Sequence, residues 1–333
     1  MNSETSKTNK VAWISILQAI AIAAIVAGHV DLAGDMNPEY TAASWIDNFS
    51  QFSLPVFFFI SGYLYVRSSL SKKTYKELLN AKVQRLLVPF LFITIVMFLF
   101  KLQLPQSVMS NKVEFSAEYV INMLFVPWHG PARHMWYLES LFTFFALMPL
   151  YKWTLKEDKP IYAILILIVA WAIQYVAGRF IHAALPFAFD RSMTYFLFFY
   201  LGMVVMKYNL IGYLQNIYAL LISAALYVLG TFVSIPLQGV WGIIMIVSIS
   251  YYISLHWENV FSSFSKYSYQ IYLMHIPPIM VSRMIYHKQM IASDTIWFVV
   301  CWLLTLFMGI YLPVLVCKVF EKLPAKARLL IGM

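Results

Sequence analysis

Residues 11–30, VAWISILQAIAIAAIVAGHV, decide the fold. The run holds no charged side chain, and at 1.5 Å per residue its helix would advance about 30 Å, the thickness of a bilayer's hydrocarbon core. Two polar side chains interrupt it, Gln18 and His29. Eleven residues of helix separate them by about 16.5 Å and about three turns, so the two lie almost on one face. Lys7 and Lys10 precede the run, an arrangement that a signal peptide shares. The length of the segment, the acidic stretch after it and the many later apolar runs favour an uncleaved first helix.

The same reading extends along the chain. Of 333 residues, 61% are hydrophobic and 12% charged, with a mean hydropathy of +0.72. A soluble domain carries roughly 25% charged residues, so an all-α polytopic membrane protein is expected. About ten helices in one bundle follow from the apolar runs 11–30, 50–68, 86–104, 134–151, 161–179, 191–207, 215–234, 239–255, 267–284 and 293–315. The run YVINMLFVPW (119–128) is too short to cross and reads as interfacial or re-entrant. The segment 101–131 is the longest outer excursion, a candidate lid or substrate wall, or merely a cover over helix ends. The expected organisation is a tail at 1–10, a membrane domain at 11–315 and a basic tail at 316–333.

Charge placement sets the orientation, because cytoplasmic segments carry the excess of Lys and Arg. With the N-terminus inside, 17 of the 24 basic residues fall in inner segments and 7 in outer ones. Both termini are therefore expected in the cytoplasm, in an inner or cytoplasmic membrane. Residues 31–47 carry only acidic charge, as an outer loop would. The net charge of +9 is dispersed between spans and does not form the basic face a nucleic-acid binder needs. Cys301 and Cys317 lie in the last apolar region and suggest neither a disulfide framework nor a metal site. There is no internal repeat, Gly-rich phosphate loop, HExxH or GxSxG.

Ionisable groups at membrane depth are costly and face a cavity or a partner. His29, at the outer end of the first span, is either a solvated interfacial side chain or a catalytic one. Gln18, deeper, is either a helix-to-helix hydrogen bond or part of a substrate site. Glu139, in RHMWYLESLF (133–142), needs a basic partner or a functional reason. His134 lies five positions before it and diverges by about 140° on a regular helix, so the two would meet only if the helix began after His134. His275, in YSYQIYLMHIPPIM (267–280), sits mid-span before Pro277 and Pro278, which should break the helix and open a polar site. The simpler reading is a neutral histidine bonded to a local tyrosine. Lys82 and Arg85, three apart, would share a face at the cytoplasmic mouth of the third span, as orientation markers or as a phosphate clamp.

These stretches, in this order, resemble the integral-membrane acyltransferase 3 family, whose members commonly carry acyl groups onto extracytoplasmic carbohydrates. WISILQAIAIAAIVAGH matches the layout of the family's first helix, with Gln18 where the family carries arginine and His29 at its histidine. LPVFFFISGYLY (54–65) resembles the second-span signature, and KVQRLLVPF (82–90) the basic motif opening the third. HMWYLESL (134–141) is similar to the later WxL-type segment, and YSYQIYLMH (267–275) to the histidine-bearing segment near the end. The resemblance covers residues 11–315 and implies an acyl-CoA, such as acetyl-CoA, as co-substrate. It implies transfer to a hydroxyl of an extracytoplasmic glycan or glycolipid, with His29, Glu139 and His275 as catalytic candidates. Lys82 and Arg85 would hold the CoA phosphates. Gln18, Asp31, Asp35, His134 and Trp136 are candidates for binding the acceptor, and Asp31, Asp35 or Glu139 for orienting His29.

A transporter or flippase for a glycan or lipid intermediate is the main alternative. Transporters tend to break helices in corresponding halves, and this chain offers one such break, at Pro277–Pro278. A noncatalytic membrane scaffold is the third reading, favoured if His29 and His275 do not approach one cavity.

Overall fold

The computed structural model describes residues 3–30, 51–68, 74–104, 113–155, 159–233, 235, 237–257, 261–292 and 295–333. Among them the architecture is all-α, with no strand. The helices are α1 (Ser3–His29), α2 (Ser53–Ser68), α3 (Tyr75–Lys82), α4 (Val88–Leu102), α5 (Ala117–Phe125), α6 (Trp136–Ala146), α7 (Met148–Thr154), α8 (Pro160–Phe180) and α9 (Phe189–Lys207). They continue with α10 (Ile211–Leu214), α11 (Ile217–Gly230), α12 (Gln238–His256), α13 (Ser262–Lys266), α14 (Ser268–Met274), α15 (Ile276–Ala292), α16 (Thr295–Phe320) and α17 (Ala325–Leu329).

Five helical stretches among the described residues are long and apolar enough to cross a membrane, not the ten expected: Ala12–His29, Tyr75–Leu102, Pro160–Phe180, Gln238–His256 and Ile296–Phe320. The other five expected spans fail for local reasons. The 50–68 run folds as the 16 residues of α2, about 24 Å of helix. The 134–151 run breaks at Leu147, because Pro149 opens α7 and cannot donate into the preceding turn. The 191–207 run lies in α9, which is long enough but places Asp190 and Arg191 in its first turn and Lys207 in its last. The 215–234 run yields only the 14 residues of α11. The 267–284 run divides at His275 into α14 and α15.

The chain divides into two compact units. The first comprises residues 1–60 and 209–319, the second 61–208 and 320–333. In the first, α1 packs against α12, α13 and α14, and α11 lies along α12. The buried side of α1 includes Ile16, Leu17, Ile22 and Val26. Gly309 of α16 fixes a close approach here. A Cβ at that position would stand 2.9 Å from Val26 Cγ1 and 3.0 Å from Ile279 Cγ1, so only glycine lets α16 sit between α1 and α15.

In the second unit α9 runs against α6 and α8. Its core is aromatic: Tyr65, Phe144, Phe145, Tyr151, Phe199 and Tyr200 are all buried, with the Phe144 and Phe199 rings 5.2 Å apart. Their hydroxyls are satisfied where the packing allows, Tyr200 donating to Thr154 Oγ1 at 2.7 Å and Tyr151 to the Phe144 carbonyl at 2.7 Å. Gly62 of α2 faces the Phe199 carbonyl, which a Cβ would strike. The 119–128 run forms α5 and a following 3-10 turn, with Met123 buried against Phe98 and Val113 while Ile121 and Phe125 stay exposed.

Candidate active site

The two histidines singled out in the sequence, 246 positions apart, meet in the first unit. The rings of His29 and His275 stand edge to face with centroids 4.8 Å apart and planes at 73°. Two local features bring them there. His29 occupies the last turn of α1, and His275 the break between α14 and α15. Gly309 then clamps the scaffold, because its two neighbours are one turn from each ring: Val26 precedes His29 by three residues and Ile279 follows His275 by four.

Each ring is held by its own helix. His29 Nδ1 lies 2.8 Å from the Ile25 carbonyl, and His275 Nδ1 lies 2.8 Å from the Tyr272 carbonyl and 3.1 Å from that of Ile271. A carbonyl oxygen only accepts, so in both rings Nδ1 carries the hydrogen and donates. In the neutral imidazole this leaves the basic lone pair on Nε2, the tautomer a general base needs. The tyrosine contact expected of His275 is thus made by the Tyr272 backbone, and the Tyr272 ring lies 6.1 Å away. His275 is fully buried, whereas His29 retains an exposed face.

Gln18 is half-buried on the same helix as His29. Asp31 and Asp35 lie outside the described residues. The remaining candidates belong to the second unit. His134 sits on a 3-10 turn (Arg133–Met135) and α6 begins at Trp136, so the regular-helix divergence between His134 and Glu139 does not apply. Both are buried, as is Trp136, whose ring packs 5.3 Å from Tyr195. Glu139 is 5% exposed, and its Oε2 has no hydrogen-bond partner among the described residues. Its carboxyl is therefore a buried polar group for which those residues offer one oxygen nothing.

Lys82 ends α3 and Arg85 lies within a π-helical turn, Val83–Leu87, that joins α3 to α4. The wider turn alters the face-sharing expected of residues three apart on an α-helix. Lys82 Nζ lies 3.6 Å from the centroid of the Phe145 ring, a cation–π contact that holds the ammonium on α6, while Arg85 is exposed. No group of three or more His, Cys, Asp or Glu suited to a metal ion occurs among the described residues.

Sequence reasoning passed over Gly309, Lys101, Trp128 and Arg191. Gly309 gives no signal in an apolar helix, and the other three are scattered over 91 positions.

An all-α chain with several bilayer-length apolar helices is a multi-pass membrane protein. The acyltransferase 3 family model, described as an acyltransferase domain, matches residues 11–317, and the chain belongs to that family. Neither the curated proteins nor the solved structures gave a match. Membership supports an acyltransferase-type reaction on an extracytoplasmic substrate.

Proposed function

We propose that the protein transfers an acyl group from an acyl-CoA, with acetyl-CoA the first donor to test, to a hydroxyl of an extracytoplasmic glycan or glycolipid. The cell's inner or cytoplasmic membrane is the proposed location, with both termini on the cytoplasmic side. The observation that carries the proposal is the His29–His275 pair, 4.8 Å apart with both Nδ1 atoms donating to helix carbonyls. His29 Nε2 accepts the proton of the acceptor hydroxyl as its oxygen attacks the thioester carbon. The tetrahedral intermediate collapses with loss of the C–S bond, and the proton returns to the departing sulfur to give CoA thiol and the ester. His275 positions the His29 ring. Lys82 and Arg85 are proposed to offer charged donors for the CoA phosphates, Glu139 is a further catalytic candidate, and Gln18, His134 and Trp136 are each proposed to contact the acceptor.

The experiment supplies labelled acetyl-CoA to inverted membrane vesicles and follows label into lumenal glycan. Label should appear with the native protein and vanish with His29→Ala at unchanged membrane abundance. Undiminished transfer by that variant would remove His29 from the mechanism. Movement of unmodified glycan without CoA consumption would favour transport instead.

A further inference from the structure

The second unit gathers cations around an exposed indole. Trp128, on the 3-10 turn Pro127–His129, is 40% exposed. Arg191 Cζ lies 4.5 Å from its ring centroid and Arg133 Cζ 5.9 Å, and Arg191 also stands 5.8 Å from the Trp136 ring. Lys101, at the end of α4, is only 7% exposed and experiences Arg133 as a neighbouring like charge. Among the described residues no carboxylate comes within ion-pair distance of Lys101. Asp190 faces Arg191, with Oδ2 3.4 Å from Nε, while its Oδ1 accepts the Leu185 N–H at 3.2 Å. Burying the Lys101 ammonium near a like charge is unfavourable unless an anion neutralises it.

The backbone that presents Arg191 is strained. Phe187 and Ala188 hold φ of 55° and 50°, a left-handed conformation that costs a non-glycine residue about 1–3 kcal/mol. Ser140 Oγ donates to the Ala188 carbonyl at 3.4 Å and Ser192 Oγ donates to Ser140 Oγ at 3.0 Å, which pins the strained turn to α6. Strain maintained in this way is characteristic of ligand clamps. The part of the indole left exposed beside the guanidiniums offers apolar ring surface, and the guanidiniums a forked donor set for a carboxylate or phosphate.

We infer that Trp128, Arg133, Arg191 and Lys101 form a subsite for an acidic saccharide, its ring face on Trp128 and its carboxylate or phosphate among the three cations. The inference rests on the acyl-transfer proposal only in taking a saccharide as acceptor, and it narrows that acceptor to an anionic one.

The test measures binding, not transfer, on the full chain in phosphatidylcholine nanodiscs, by isothermal titration without any CoA compound. Tetragalacturonate and glucose 6-phosphate are the acidic probes, maltotetraose and glucose their neutral counterparts. At least one acidic probe should bind about tenfold or more tightly than its neutral counterpart, and Arg191→Gln and Lys101→Met should each remove that preference. Arg191 is partly exposed, so Arg191→Gln carries the test if Lys101→Met does not fold. Equal binding of acidic and neutral probes, or a preference untouched by Arg191→Gln, overturns the inference. Complete competition by equimolar inorganic phosphate also overturns it, because the site would then recognise a bare anion. So does loss of probe binding when phosphatidylglycerol enters the nanodisc, because the cations would then serve a lipid headgroup. None of these outcomes bears on whether His29 supports transfer.

Discussion

Gly309→Ala should impair transfer without unfolding the protein. The new Cβ would stand 2.9 Å from Val26 Cγ1 and 3.0 Å from Ile279 Cγ1, where ordinary contact begins at 3.4 Å, so each neighbour must retreat by about 0.4–0.5 Å. Val26 is one turn from His29 and Ile279 one turn from His275. The two rings therefore shift relative to each other by a comparable distance. A 1 Å misplacement near reacting groups can cost about 100-fold, so roughly a tenfold loss is expected for alanine and more for leucine. Overpacking costs about 1–3 kcal/mol, less than the about 5–15 kcal/mol that keeps a domain folded. The assay is labelled transfer in inverted vesicles, normalised to membrane abundance. Adding Val26→Ala removes the nearer obstructing methyl and should recover part of the loss. Wild-type transfer by Gly309→Ala at normal abundance would refute the claim that this close approach sets the histidine pair.

His29→Asn keeps an N–H donor near the Ile25 carbonyl but supplies no base, so transfer should fall by about 100- to 10,000-fold with little change in thermal stability; a stability loss matching that of His29→Ala would indicate a structural role. Glu139→Gln should cost under about 1.5 kcal/mol by thermal unfolding in detergent, because the exchange conserves volume. A loss of about 3–5 kcal/mol would expose a buried ionic partner instead. Lys82→Met retains the stem on the Phe145 ring and removes the charge. It should raise KM for acyl-CoA about tenfold at constant kcat, the pattern of lost uniform binding, and an unchanged KM would remove Lys82 from the donor site.

The sequence made the membrane class and the two histidines legible because each depends on local features. An uncharged run before His29 and two prolines after His275 require no tertiary information. The helix count was less legible, because it hangs on single residues inside apolar runs: Pro149 divides one expected span, and Asp190 and Arg191 load the start of another. The π-turn at Val83–Leu87 has no sequence signature, so spacing alone implied a shared face for Lys82 and Arg85. Gly309 is invisible for a different reason. Its role is a missing Cβ against two side chains 283 and 30 positions away, and nothing in its own helix marks it.

The way the imidazoles are held alters what the site needs from the rest of the chain. A catalytic histidine is commonly fixed by a carboxylate at its second nitrogen, and Asp31, Asp35 and Glu139 were the residues from which such a partner was expected. In the folded protein that position is already taken by the Ile25 carbonyl for His29 and by the Ile271 and Tyr272 carbonyls for His275. Among the described residues these carbonyls set the Nδ1–H tautomer of both rings. On the proposed mechanism, the Ile25 carbonyl gives His29 the tautomer of a base without a charge at position 18. If that charge serves the donor or the developing oxyanion, Gln18→Arg should raise transfer while leaving the pH dependence set by His29 in place. A Gln18→Arg variant whose pH profile moved with its rate would instead tie position 18 to the base itself.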